Sequence, residues 1–189
     1  MLRKRFLLLF IAAAVGIGLL WIEDYTTAQT QENIESASLL PDYYGEGLRN
    51  RSYTEEGKLE REVMASHSIH YPAQKLTELD DPKVHSIDND GETWVLTSIL
   101  GFHYEERKTL VLQQDVLVTP LVELNSGTPL QNSIRTTELT FYTEEQLAKT
   151  DKPVEVLSIN GQINAVGMII RLDQQKIEFL SQVKARYAP

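Results

Sequence analysis

Residues 108–118 read KTLVLQQDVLV, and residues 175–185 read QKIEFLSQVKA. In the first stretch Leu110, Leu112, Val116 and Val118 share one parity of a two-residue alternation. That is the pattern of a strand with one buried face. The second stretch follows the same plan: apolar strand, polar interruption, then a valine. Two shorter segments also correspond, DDPKV at 80–84 and TDKPV at 150–154. The valines Val84, Val116, Val154 and Val183 thus mark a unit recurring at intervals of 32, 38 and 29 residues. A recurring hairpin cannot bury its apolar face alone, so successive units stack. The expected fold is all-β, a twisted jellyroll of repeated antiparallel hairpins with an apolar interior and an edge strand at each end.

The surrounding sequence extends this pattern. Leu59, Val63, Ala65, Ile69 and Tyr71 share a parity, as do Trp94, Leu96, Phe102 and Tyr104. Leu139 with Phe141, and Val166, Met168, Ile170 with Leu172, continue it. Turn-forming residues separate the runs at Pro72-Ala73-Gln74, Asn89-Asp90-Gly91, Glu105–Lys108, Asn125-Ser126-Gly127, Asn160-Gly161 and Asp173-Gln174-Gln175.

The N-terminal 39 residues differ. Phe6–Ile22 carries no charge and is 17 residues long, about 26 Å as a helix against a hydrocarbon core of about 30 Å. Arg3, Lys4 and Arg5 precede it, Trp21 sits at its far end, and Glu23 and Asp24 follow. The positive-inside rule puts residues 1–5 in the cytoplasm, a transmembrane helix at 6–22 and the remainder outside. A cleaved signal peptide with a small-residue site near Thr26-Thr27-Ala28 is the competing reading, but its apolar core is usually shorter, about 7–15 residues. Ala12 and Gly16 form a small-xxx-small face suited to packing against another membrane helix. Residues 23–39, EDYTTAQTQENIESASL, are polar and weakly patterned, a flexible tether to a folded domain at 40–189.

Charge and residue types narrow the function. Three of the 18 basic residues precede the apolar stretch and all 27 acidic ones follow it, leaving 15 basic against 27 acidic, or −12. That balance disfavours a nucleic-acid surface. There is no cysteine, which removes disulfides and thiolate metal sites. His67 and His70 are three apart, so on a strand they face opposite ways; His85 and His103 lie in other strands. Hydrogen-bonded or solvated histidines are expected, with no metal and no cofactor. No G-x-S-x-G elbow, H-E-x-x-H helix or P-loop occurs, and the paired acids Asp80-Asp81 and Glu144-Glu145 fall in turns. The chain does not read as an enzyme.

A series of loosely spaced marks resembles one family. They are L-P-D-Y at 40–43, G-K-L at 57–59, H-Y-P at 70–72, W-V-L at 94–96 and L-x-L-x-x-x-V-x-V at 110–118. R-T-T-E-L at 135–139, T-D-K-P-V at 150–154, G-M at 167–168 and I-x-x-x-S-x-V-x-x-x-Y at 177–187 complete it. In this order, with the anchor and the length, the chain resembles the lipopolysaccharide export protein family LptC. The resemblance implies a single-pass inner-membrane protein with a periplasmic jellyroll. It implies lipopolysaccharide transport toward the outer membrane. An inner-membrane ABC transporter would hand lipid over and supply the energy, the lipid would pass along the apolar groove, and the next periplasmic jellyroll bridge protein would dock on the C-terminal edge. A membrane-anchored structural adaptor that docks partners without binding lipid is the alternative, and paired edges also permit a homodimer.

On that resemblance, the inward positions for acyl contact are Val63, Ile69, Leu79, Trp94, Leu96, Leu110, Leu112, Phe141, Met168, Ile170 and Phe179. In a thin stack, core and groove share a face, so each is equally an ordinary core residue. Gly57 and Gly167 align with glycines typical of the family; a turn and a strand bulge respectively are the favoured account of them, with a part in partner docking as the alternative. Gln113-Gln114 departs from the family pattern, where a glycine often precedes the second valine strand, and a side chain there is expected to straighten the bend.

Overall fold

The computed structural model describes residues 40–88, 91–121 and 132–187. They form eleven strands: β1 (Tyr43–Tyr53), β2 (Leu59–Tyr71), β3 (Leu76–Asp80), β4 (Lys83–Ile87), β5 (Thr93–Thr97), β6 (Leu100–Tyr104), β7 (Thr109–Pro120), β8 (Asn132–Tyr142), β9 (Leu147–Ser158), β10 (Gly161–Arg171) and β11 (Lys176–Tyr187). All strand pairings are antiparallel and belong to one sheet. Among the described residues no helix is long and apolar enough to cross a membrane. The expected anchor at 6–22, with Ala12 and Gly16, and the tether at 23–39 lie outside the described residues.

The sheet is folded over on itself. The long strand β2 pairs with β4 through residues 61–64 and with β3 through residues 67–71. The long strand β7 likewise pairs with β6 through 109–113 and with β5 through 117–120. Each long strand therefore contributes one half to each of two walls. Side chains from both, such as Leu110 and Phe141 from one and Leu96 and Val118 from the other, meet in a single apolar cluster.

Folding a strand between two walls requires a bend, and the backbone shows where it is made. Gly47, Asp81, Gln114, Asp115, Gly167 and Gln182 have φ of +64°, +48°, +63°, +50°, +78° and +51°. Ladder registers shift between Gln113 and Val116, Arg135 and Thr140, and Val166 and Met168. The bend at Gln114 is thus retained, against the expectation of a straightened strand: Gln114 and Asp115 both adopt the left-handed region despite their side chains. Both are exposed, so those side chains project into water without clashing. Gly167 is different. A Cβ there would lie 2.9 Å from Leu180 Cδ1, so both its φ and the close approach of β11 require glycine.

The repeat is visible in the turns. The β2–β3, β6–β7, β8–β9 and β10–β11 turns each end on a left-handed residue: Lys75, Lys108, Gln146 and Gln175. Each turn is tied to the next by a backbone bond: Glu105 N–H to Lys75 O (3.0 Å), Thr143 N–H to Lys108 O (3.0 Å) and Leu172 N–H to Gln146 O (2.9 Å). The ion pairs Lys75–Glu106 and Lys108–Glu144 join neighbouring turns on the exposed side. Of the marker valines, Val84, Val116 and Val154 are buried, whereas Val183 on the edge strand β11 is 53% exposed.

Two substitutions should move stability in opposite directions. Gly167→Ala forces a left-handed alanine against Leu180 and should cost about 1–2 kcal/mol. Gln114→Gly relieves a similar penalty at the price of chain entropy, leaving a gain of up to about 1 kcal/mol. Urea denaturation of both variants beside the wild type checks the signs.

Candidate functional site

The inward positions form rows running across the strands. In one wall the partners Tyr43, His70, Thr77, His103, Leu110, Phe141, Ala148, Ile170 and Ile177 follow one another from β1 to β11. In the other the row reads Asn50, Val63, Val84, Leu96, Val118, Ile134, Val156 and Ile163. Side chains alternate in direction along each strand, so cross-strand partners share a face. The interior is graded: charged and polar groups crowd the β1 end, whereas toward β11 the two rows are apolar and the buried polar side chains beside them include the threonines Thr136, opposite Val116, and Thr150, opposite Met168.

Most of the positions expected to face inward do so together. Leu79, Leu96, Leu110, Leu112, Phe141, Met168 and Ile170 are buried members of the cluster, and Val63, Trp94 and Phe179 pack against it. Ile69 does not join them. It is partly exposed and sits opposite Glu78 on β3 and Tyr44 on β1. The inward parity of β2 changes between buried Ala65 and buried Ser68, where the strand leaves β4 for β3, so strict alternation carried from Val63 assigns Ile69 to the wrong face. Gly57, at φ +79°, closes the β1–β2 turn by donating to Thr54 O at 2.9 Å.

A cavity of ≈180 Å³ lies between the walls at the polar end. Leu48, Val63, Leu79 and Leu110 form its apolar lining; Tyr43, Asn50, Ser52, Arg61, Thr77, His103, Glu105 and Thr143 supply its polar lining. The space resembles an engineered apolar cavity of about 150 Å³ that holds benzene. It accommodates part of a chain, not a whole lipid. Beyond it the cluster is closed, with Phe141, Leu112 and Met168 fully buried.

Polar contacts bridge the walls along one side. The Arg61 guanidinium on β2 donates to Thr143 O in the β8–β9 turn and to Ser52 Oγ at 3.1 Å. The Gln146 amide donates to Glu60 at 3.0 Å, and the Gln175 amide to Asp88 at 2.9 Å. At the cavity's rim His70 lies between Asp42 (2.6 Å) and Glu105 (3.2 Å), with its ring stacked on Tyr43. His103, expected only as a solvated or hydrogen-bonded residue, lines the cavity. The parity of Leu59 and Val63 places Arg61 on the inward face, but a charged residue between Glu60 and Glu62 reads as solvated, and its partner Thr143 lies 82 residues away.

Across residues 6–188 the sequence matches the family model described as lipopolysaccharide-assembly, LptC-related. The chain belongs to this LptC family. Membership implies a role in lipopolysaccharide transport, with lipopolysaccharide and other proteins of that system as partners. The family is one of transport proteins with a periplasmic domain, not of known enzymes, and its β-rich character agrees with the folded sheet. No curated protein matches the chain.

Burial is the main reason the His103 imidazole titrates below its ordinary range; Glu105 opposes the shift and the charge of Arg61 adds to it. His85 is lowered too, again chiefly by burial. A histidine depressed in the folded state binds its proton more readily when unfolded. Its contribution is therefore present above about pH 6.5 and is lost as pH falls through the lowered folded value. Thermal melts between pH 7 and pH 5 should show falling stability, with a smaller fall in the His85→Gln/His103→Gln double variant.

Proposed function

We propose that this chain is a membrane-anchored bridge segment that receives lipopolysaccharide from an ATP-driven extractor and passes it along its interior to the next periplasmic jellyroll. The anchor at 6–22 holds it in the inner membrane, with residues 1–5 cytoplasmic, and the tether at 23–39 gives the folded domain reach. The observation that carries this reading is the continuous inward face crossing every strand from β1 to β11. Exposing acyl chains to water costs about 0.8 kcal/mol per methylene, and a lengthwise apolar interior shields them without chemistry.

Two further features support it. Among the described residues β1 pairs only with β2 and β11 only with β10. Each strand therefore offers one unpaired edge for strand addition: β1 toward the extractor and β11 toward the next bridge protein. In addition, the walls are held across the groove by side-chain hydrogen bonds and apolar packing with no disulfide. Lipid reaches Phe141 in this reading only when the walls part.

The test uses the full chain in membranes with the extractor, with and without ATP. A photocrosslinking residue is placed at Leu79, on the existing cavity, at Phe141, in the closed cluster, or at outward Thr140. The expected result is ATP-dependent lipopolysaccharide adducts at Leu79 and Phe141 and none at Thr140. Protein–protein adducts along β1 and β11 with no lipid adduct at either inward site would instead make the chain a structural adaptor.

A further inference from the structure

Arg61 stands out among the interior side chains. It is half-buried at the mouth of the cavity, and its hydrogen-bond acceptors are neutral, the Thr143 carbonyl and the Ser52 hydroxyl. The neighbouring carboxylates all have other partners. Glu105 pairs with His70 at 3.2 Å, Glu60 accepts from Gln146 at 3.0 Å, and Glu144 pairs with Lys108. The guanidinium nevertheless stays charged. Glu60 and Glu144 act on its charge without accepting a hydrogen bond from it. Leu48, Val63, Leu79 and Leu110 line the same cavity, so a cation with neutral hydrogen-bond acceptors and an apolar pocket share one opening.

We propose that Arg61 is the headgroup site of the transported amphiphile: it takes a phosphate group of the lipid while an acyl chain enters the cavity lined by Val63, Leu79 and Leu110. This rests on the lipid-bridge reading and deepens it. A guanidinium binds phosphate through paired, charge-assisted hydrogen bonds that a single neutral carbonyl cannot match. Arrival of the phosphate therefore displaces the Thr143 carbonyl, and that exchange undoes a contact holding the two walls together. Recognition of the head and opening of the groove become the same event.

The experiment uses the full chain in membranes with the extractor and ATP, with a photocrosslinking residue at Leu79 or Phe141. Adduct yield is measured with lipopolysaccharide and with lipopolysaccharide stripped of its phosphates by a phosphatase. The expected result is about tenfold higher yield at Leu79 for the phosphorylated lipid. Arg61→Gln should abolish that preference without lowering the yield of the dephosphorylated lipid, since the same change releases the contact with Thr143, and Arg61→Lys should keep part of the preference. Arg51→Gln, which removes an ion pair with Glu62, should change neither yield. Thermal melts of both Arg61 variants establish that they fold, and the charge-retaining lysine variant carries the test should the glutamine variant not. Equal wild-type yields with the two lipids would overturn the proposal while leaving the bridge reading intact. An equal loss of both lipids in Arg61→Gln would do the same. Inorganic phosphate competing at the lipid's own concentration would assign the site to free phosphate and overturn the lipid headgroup. No adduct of either lipid at Leu79 or Phe141 would sink the bridge reading itself.

Discussion

A single sheet encloses a core by itself only if its long strands bend, and everything else in this protein depends on those bends. A left-handed residue with a side chain costs roughly 1–2 kcal/mol, and Gln114, Asp115 and Gln182 all occupy that region in mid-strand. What offsets the cost is the burial the bend makes possible. Residues on both sides of the corner in β7, Leu112 and Val116, are fully buried against the same cluster. Each such side chain contributes about 1.5–3 kcal/mol relative to exposure. A straight β7 would hold one wall and leave the other without a partner.

The sequence revealed the repeat and the period because both follow from local rules. Alternation places Leu110, Leu112, Val116 and Val118 on one face, and the turn residues interrupt the runs where the hairpins turn. The change of neighbour within β2 was not legible. It depends on which strands lie alongside at residues 61–64 and 67–71, a fact of topology that a one-dimensional alternation cannot carry, and it turned Ile69 outward. The bend at Gln114 was misjudged for a related reason. Glycine is the usual means of reaching positive φ, but an exposed polar residue reaches it when burial on either side favours the corner. His103 and Arg61 escaped notice because a cavity between two walls brings together residues far apart in the chain.

The graded interior joins the fold to its proposed use. The β1 end combines apolar lining with Arg61, His70, His103 and Thr77, whereas the row toward β11 contains Phe141, Ala148, Ile170 and Ile177. A hydrocarbon chain meets no charged group along that row, and the nearby hydroxyls of Thr136 and Thr150 are already bonded to backbone, so nothing there binds it at one fixed place. Discrimination belongs at the polar end and onward passage at the apolar end. The bonds bridging the walls are made by Arg61, Gln146 and Gln175, which are not members of the apolar rows, so they act on opening without interrupting those rows.

The bonded turns have one more consequence, for how such a molecule grows. Lys75, Lys108 and Gln146 each offer a carbonyl to the turn that follows, and the turn ending at Gln175 repeats the same backbone form. A duplicated hairpin inserted between two units would find its donor and acceptor already in position, and its apolar face would continue the existing rows. The design is therefore extensible in length at constant cross-section. Copying a module would lengthen the sheet, and a strand added at the unpaired side of β1 or β11 would extend the same ladder.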